Sequence, residues 1–150
     1  MAFDLHGPAT ELGVRDLIGQ LITRLRGLNL REDLLGTVEI ALSEVLNNIV
    51  EHSCAGLDCT RIRLICEKND AGIQFIVVDQ GNPLPDEKLP AGAQVDVSGP
   101  VNTLPEGGFG WFLIRTLSDR LEYRRVASEN HLSIWFSLSS DAAIRHSVDK

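Results

Sequence analysis

The sequence contains no long hydrophobic run, and positively charged residues are scarce. No apolar stretch approaches the roughly 18 residues of a membrane-spanning helix. The first ten residues, MAFDLHGPAT, lack the basic start and the apolar centre of a signal peptide. The 14 Lys and Arg residues are outnumbered by 21 Asp and Glu residues, and the net charge of −7 argues against broad binding to nucleic acid or to anionic membranes. These absences predict a cytoplasmic protein that binds neither.

Cysteine is also scarce, with three residues at Cys54, Cys59 and Cys66. An odd number of cysteines without a CxxC pair is typical neither of a disulfide framework nor of a zinc site. We therefore expect reduced thiols with a structural role.

The pattern of apolar residues predicts one domain, residues 1–150, with three helices and several strands. Helical spacing indicates a first helix that Gly27 ends, a second from about Glu32 to His52, and a third in WFLIRTLSDR. Alternating segments predict strands in TRIRLICEK, GIQFIVVD, LEYRRVA and HLSIWFSL, with AFDL as a candidate edge strand. We expect an α+β two-layer sandwich, in which a mostly antiparallel sheet of four or five strands is covered on one face by the three helices.

A long segment without periodicity separates the third predicted helix from the strand before it. Residues 80–108 contain five of the chain's six prolines and several glycines. A loop of this length inside a compact domain is usually functional. We expect a lid or a binding loop here.

The second predicted helix carries polar residues at every fourth position, although it is otherwise apolar enough to be core. In IALSEVLNNIVEHS these residues are Glu44, Asn48 and His52. Residues four apart lie about 40° apart around a helix axis, so the polar residues follow the border of the apolar face. They can line a pocket there, or they are ordinary boundary residues with His52 near the helix end.

The strand GIQFIVVD ends in Asp79, and Gly81 follows two residues later. A carboxylate at a buried strand end needs a hydrogen-bond donor, which the exocyclic amine of a ligand can supply. Gly81 lets the backbone approach a flat ring that a side chain would block. The alternative is an ordinary strand-to-turn Asp with a glycine.

Three glycines, Gly107, Gly108 and Gly110, lead directly into the third predicted helix. Free backbone N–H groups and a helix N-terminus can together bind a phosphate. A flexible hinge before the helix is the alternative.

In this order, the segments SEVLNNIVEH, DQGNP and GGFGWFLIRTLSDRLEY resemble the N, G1 and G2 boxes of the GHKL ATPase superfamily, over about residues 14–138. This superfamily includes histidine-kinase catalytic domains, gyrase-type ATPases and anti-sigma-factor kinases. The chain resembles in particular the small bacterial anti-sigma-factor serine/threonine kinases, whose N box reads much like S-E-x-x-x-N-x-x-x-H.

The resemblance implies ATP and Mg²⁺ as cofactors and gives roles to the N-box residues. Asn48 would coordinate the Mg²⁺ that bridges the phosphates, since its neutral amide oxygen is a suitable ligand. Glu44 would be the catalytic residue, as general base on the attacking hydroxyl. His52 matches the end of the N box, and we assign it no chemistry.

The resemblance also implies the remaining ATP-binding residues. Asp79 would accept a hydrogen bond from the adenine amine, and Gly81 would leave space for the ring. Gly107, Gly108 and Gly110 would hold phosphates in the lid.

The implied function is that of a protein serine/threonine kinase that phosphorylates a STAS-domain anti-sigma antagonist and regulates a sigma factor by partner switching, as a homodimer. The sequence departs from the family pattern in one respect, because no Lys or Arg lies between Lys88 and Arg115 to meet the γ-phosphate. Trp111 also stands where leucine or phenylalanine is usual. A nucleotide-responsive binding switch with little kinase activity is therefore one alternative. A detached histidine-kinase catalytic domain is another, although Pro8 follows His6 too closely for a phosphoacceptor helix.

Overall fold

The structure, a computed structural model, describes residues 1–90 and 108–138. These residues form a five-stranded sheet and three α-helices. The strands are β1 (Ala2–Pro8), β2 (Arg61–Lys68), β3 (Gly72–Asp79), β4 (Arg120–Val126) and β5 (Glu129–Ser137). The helices are α1 (Glu11–Arg26), α2 (Glu32–Asn48) and α3 (Gly108–Leu117). The strand order is β1-β2-β3-β5-β4 with every neighbouring pair antiparallel, which confirms the predicted α+β sandwich.

Strand register sends one set of alternating side chains into the core. Leu64 of β2 lies opposite Val77 of β3, which in turn lies opposite Leu132 of β5. Further along the same face, the rings of Phe75 and Phe136 meet edge to face at 5.9 Å between centroids. These side chains are buried beneath the helices, whereas the alternate positions on the other face of the sheet are mostly partly exposed.

The helices begin and end where local chemistry dictates, with one departure from prediction. The Thr10 hydroxyl caps α1 by accepting a hydrogen bond from the backbone N–H of Gly13 at 2.9 Å, and Gly27 ends that helix as predicted. The second helix, expected to be α-helical as far as His52, changes after Asn48 into a π-helical turn, Ile49–Ser53. Within the described residues, no helix combines the length and the apolar character needed to cross a membrane.

The expectation of three reduced thiols is wrong for two of the cysteines. Cys54 and Cys59 form a disulfide, because the turn after the π-helical segment brings their Cα atoms to 5.6 Å. Counting cysteines missed this local pair. Cys66 is a free, buried thiol whose pKa is raised to about 12 by burial, in agreement with an inert structural role.

Replacing both disulfide cysteines, Cys54→Ser with Cys59→Ser, should lower the free energy of unfolding of the oxidised protein by about 2 kcal/mol. The physical reason is that the short closed loop no longer restricts the unfolded chain. Urea denaturation with and without dithiothreitol measures the effect. Under reducing conditions the two proteins should unfold at similar urea concentrations, and the matched variant Cys66→Ala should keep the response to dithiothreitol. A wild-type midpoint that ignores dithiothreitol would contradict the prediction.

Candidate functional site

A cavity of about 350 Å³ lies between α2, α3 and the ends of β3, β4 and β5. Its lining is largely apolar, and the main apolar contributors are Val45, Ile49, Leu84, Trp111 and Leu132. The polar lining includes Asn48 from α2 and Asp79 from the end of β3, and Trp111 belongs to the third predicted box, so all three boxes contribute to this cavity. An apolar cavity with a few polar groups is the usual form of a small-molecule site.

Asp79 is a buried carboxylate, only 3% exposed, at the last position of β3. Its Oδ1 accepts hydrogen bonds from the backbone N–H of Gly81 at 2.8 Å and from Nδ2 of Asn130 at 3.0 Å. Burial raises the pKa of Asp79, while these two hydrogen bonds and the positive charge of Arg125 oppose the rise. Because the hydrogen bonds from the described residues fall on Oδ1, Oδ2 is left as an acceptor for a ligand in the cavity.

Gly81 lies against the end of the π-helical segment. A Cβ at this position would stand 2.5 Å from the carbonyl oxygen of Ser53 and 2.8 Å from Oδ1 of Asp79. The next residue, Asn82, donates its backbone N–H to the same Ser53 oxygen at 2.7 Å. The protein itself therefore requires glycine here, whereas clearance for a flat ring remains a prediction.

Helix α3 brings Gly110 against the N-box residues of α2. A Cβ at Gly110 would lie 3.1 Å from Oε2 of Glu44 and 3.6 Å from Nδ2 of Asn48. That Asn48 nitrogen is buried and has no hydrogen-bond partner in the part of the chain that the structure describes. Glu44 is half-buried beside Gly110 and does not line the cavity itself. Gly108 begins α3, and Gly107 lies outside the described residues.

The first part of the predicted lid is held in place by Arg115 of α3. Nε and Nη2 of Arg115 donate hydrogen bonds to the carbonyl oxygen of Pro90 at 3.0 Å and 2.7 Å. A 3₁₀ turn, Pro85–Glu87, lies just before this contact. Residues 91–107 of the predicted lid lie outside the described residues.

Sequence reasoning missed three polar residues of the β4–β5 hairpin that surround Asp79. Tyr123 and Asn130 line the cavity, and Arg125 donates a hydrogen bond to the carbonyl oxygen of Gly81 at 2.7 Å. One signal could have revealed them: all three occupy alternate positions of their strands that point toward the core, where apolar residues are otherwise found. Without the strand register, polar residues at these positions indicate only that the strand lies near the edge of a sheet.

Replacing Gly81 with alanine should destabilise the protein by about 1–3 kcal/mol, because the new methyl group overlaps the backbone of Ser53 and forces both segments apart. Chemical denaturation measures the loss. Gly36→Ala is the matched control, since a Cβ at that helical position meets nothing within 4 Å, and it should stabilise by up to about 1 kcal/mol. Equal stability of Gly81→Ala and wild type would contradict the close contact.

Asp79→Asn should raise the free energy of unfolding at neutral pH. The pKa of Asp79 in the folded protein lies above the ordinary value of 3.8. Ionisation of this carboxyl therefore destabilises the folded protein at neutral pH, and this cost disappears at a pH low enough to protonate Asp79 in both the folded and the unfolded protein. The advantage of the variant should therefore shrink as the pH falls through the folded-state pKa. Urea titrations from neutral pH down to about pH 3 test this, with the exposed Asp70→Asn as control. A pH-independent difference would contradict it.

Comparison with known proteins finds a matching family model and related kinases. A family model described as "Histidine kinase-like ATPase domain" matches residues 8–136. The serine-protein kinase RsbW of Bacillus cereus (strain AH187) is 33% identical over 86 residues, which cover 57% of this chain and 53% of the relative. RsbW of Bacillus anthracis matches to the same extent. The chain thus spans about half the length of the curated relatives it matches.

Two solved structures share the fold. The RsbU and RsbW domains of Rv1364c from Mycobacterium tuberculosis match with a TM-score of 0.63 at 16% identity, over 91% of this chain and 32% of that chain. The histidine kinase domain of the blue-light activated histidine kinase EL346 from Erythrobacter litoralis matches with a TM-score of 0.56 at 14% identity, over 87% of this chain and 64% of that chain.

These findings confirm the resemblance on which the site residues were chosen. The family match extends from the end of β1 to β5 and includes all three boxes. The chain belongs to the histidine kinase-like ATPase domain family.

Proposed function

We propose that the chain binds Mg-ATP in the described cavity and acts as an anti-sigma-type protein serine/threonine kinase. In this proposal it phosphorylates a STAS-domain antagonist, binds a sigma factor when that antagonist is absent, and works as a homodimer. The observation that carries the proposal is the convergence of Asn48, Asp79 and Gly110, from three distant segments, around one cavity and its rim. The kinase class is supported by the name of the curated relatives, serine-protein kinase RsbW.

The end of the cavity at Asp79 suits an adenine base. Ile49, Trp111 and Leu132 supply apolar surface for a planar ring. Oδ2 of Asp79 is an acceptor in a mostly apolar environment, so it favours a ring that presents an exocyclic amine. A volume of about 350 Å³ lies within the range of ordinary ligand sites.

The end of the cavity at Asn48 suits phosphates and Mg²⁺. Within residues 1–90 and 108–138, no group of three His, Cys, Asp or Glu side chains could hold a metal ion on its own. Mg²⁺ is usually bound by one or two protein groups together with phosphates and waters, and the side-chain oxygen of Asn48 would be such a group. The buried Asn48 nitrogen, which has no partner among the described residues, can donate a hydrogen bond to a phosphate oxygen. Asn48 would hold the ion, which when bound offsets the negative charge of the phosphates.

Glu44 is suitably located to accept a proton, one helical turn before Asn48 and beside Gly110. The partner's Ser or Thr hydroxyl would give its proton to the Glu44 carboxylate as its oxygen bonds to the γ-phosphorus. The bond from that phosphorus to the bridging oxygen breaks, and ADP leaves. Positioning and charge compensation dominate the catalysis of such transfers.

One observation favours a second candidate, a nucleotide-responsive switch with little kinase activity. No Lys or Arg lies between Lys88 and Arg115. The guanidinium of Arg115 is itself bound to the Pro90 carbonyl oxygen, so it is not free to meet a γ-phosphate in this arrangement. Incubation with labelled ATP and a STAS-domain protein separates the two candidates, since only a kinase labels a Ser or Thr of the partner. The histidine-kinase alternative gains no support from His6, which lies in strand β1.

Asn48→Ala should weaken binding of ADP in Mg²⁺ buffer by about 10- to 100-fold, as is typical when a group that supports a metal is lost. It should also abolish the difference between titrations in Mg²⁺ and in EDTA. Calorimetry measures both, with the exposed neighbour Asn47→Ala as the matched control. Unchanged, Mg²⁺-dependent binding by Asn48→Ala would contradict its assignment.

Glu44→Gln should keep ADP affinity within about twofold and lower phosphate transfer to the STAS partner by about 10²- to 10⁴-fold, the usual contribution of a general base. Labelled-phosphate transfer under single-turnover conditions measures the loss. Glu39→Gln, an exposed carboxylate on the same helix, is the control. Undiminished transfer by Glu44→Gln would remove the base from the mechanism.

A further inference from the structure

We infer that Asn130, oriented by Tyr123 and Arg125, is a positioning residue that keeps Asp79 a hydrogen-bond acceptor and so selects a purine with an exocyclic amine over one with a carbonyl group. The inference rests on the proposed nucleotide site and names the residues that set its base preference. It concerns residues of the β4–β5 hairpin to which the family resemblance gives no role.

Hydrogen bonding determines which way the Asn130 amide points. The backbone N–H of Leu84 donates to the Tyr123 hydroxyl oxygen at 3.0 Å, and the same hydroxyl contacts Oδ1 of Asn130. The backbone N–H of Leu84 can only donate, so the hydroxyl oxygen accepts from it and the hydroxyl hydrogen remains available for Asn130. Nη1 of Arg125, which also can only donate, bonds to the same Oδ1 at 3.0 Å. Because the guanidinium has no acceptor, this atom is the amide oxygen, and the Tyr123 hydroxyl therefore donates its proton to it.

With the oxygen identified, the Asn130 nitrogen must face Asp79. Nδ2 donates to Oδ1 of Asp79 at 3.0 Å and to the carbonyl oxygen of Asn82 at 2.8 Å. These contacts use both amide hydrogens, so Asn130 lines the cavity but has no donor left for a ligand. Its effect on a bound base must pass through Asp79.

Arg125 supports the same arrangement from the backbone side. Its Nη1 donates to the Gly81 carbonyl oxygen at 2.7 Å, which holds the turn whose N–H reaches Asp79. Its positive charge also favours the ionised form of the Asp79 carboxyl. An ionised Asp79 with Oδ1 already occupied offers Oδ2 as an acceptor only. An amine satisfies such an atom, whereas a ring carbonyl would leave two acceptors facing each other.

The test compares binding of ADP with binding of IDP, which carries a carbonyl group in place of the adenine amine, both in Mg²⁺ buffer. Trp111 lines the cavity and is the fluorescence reporter, and Trp135→Phe in every protein removes the signal of the other tryptophan. Wild type should prefer ADP. Tyr123→Phe and Arg125→Gln should each lower the ADP-to-IDP affinity ratio by about tenfold, the scale of one hydrogen bond to a charged group.

The control is Arg124→Gln, the same change one residue away. Arg124 lies opposite His131 on the other face of the sheet, whereas Arg125 lies opposite Asn130. Arg124→Gln should leave the ratio unchanged. Asn130→Ala should lower the ratio as well, and Tyr123→Phe, which removes a single oxygen atom, keeps the test available if Asn130→Ala does not fold.

The outcomes separate a failure of the proposed nucleotide function from a failure of the positioning role of Asn130. If wild type binds neither ADP nor IDP, the proposed nucleotide function fails and this inference fails with it. If wild type binds both equally, or if the variants weaken both by the same factor, the positioning role is overturned while the nucleotide site stands. A ratio that falls in Tyr123→Phe and Arg125→Gln, and not in Arg124→Gln, supports the inference.

Discussion

The burial of one carboxylate, Asp79, is the constraint on which the rest of the site depends. An ionised group that is 3% exposed is costly unless donors surround it. The Gly81 N–H supplies one donor from the turn that follows Asp79, and the Asn130 amide supplies a second. The second donor depends on sheet register, because the pairing of β3 with β5 places Asp79 directly opposite Asn130. A slip of one residue would turn Asn130 to the other face of the sheet. Core packing and site chemistry therefore specify the same register.

Close backbone contacts join this strand end to the second helix. Gly81 and Asn82 meet the Ser53 carbonyl oxygen, at the end of a π-helical turn that begins one residue after Asn48. Such turns are rare and are frequently found at functional sites. Here the turn ends the helix beside the loop that follows Asp79. The amide of Asn48 and the carboxylate of Asp79 are thus carried on elements that contact each other directly, which limits their relative movement.

Residue patterns predicted the sheet and the helices, because periodicity reports which face of each element is buried, whereas the convergence of the three boxes was implied by the family resemblance. They failed where a feature depends on contacts between elements. A continuous helical pattern through His52 gave no sign of the π-helical turn, and the Cys54–Cys59 disulfide depends on how that turn folds back. Asn130 and Arg125 are ordinary polar residues of a hairpin until strand pairing sets them beside Asp79.

Two cations near the cavity, Arg115 and Arg125, are both bound to oxygen atoms of the protein itself. Arg125 binds the Gly81 carbonyl oxygen and Asn130, and Arg115 binds the Pro90 carbonyl oxygen, so both guanidinium groups stabilise backbone around the site. Under the proposed function, the end that receives the base is thus built in advance, with Oδ1 of Asp79 already hydrogen-bonded and Oδ2 left for the base. At the phosphate end, the Asn48 side-chain nitrogen has no partner within residues 1–90 and 108–138, so this end depends on what the ligand brings with it. Base recognition is then a property of this chain alone, whereas efficient transfer requires charge compensation from the metal, the start of α3 or the partner protein.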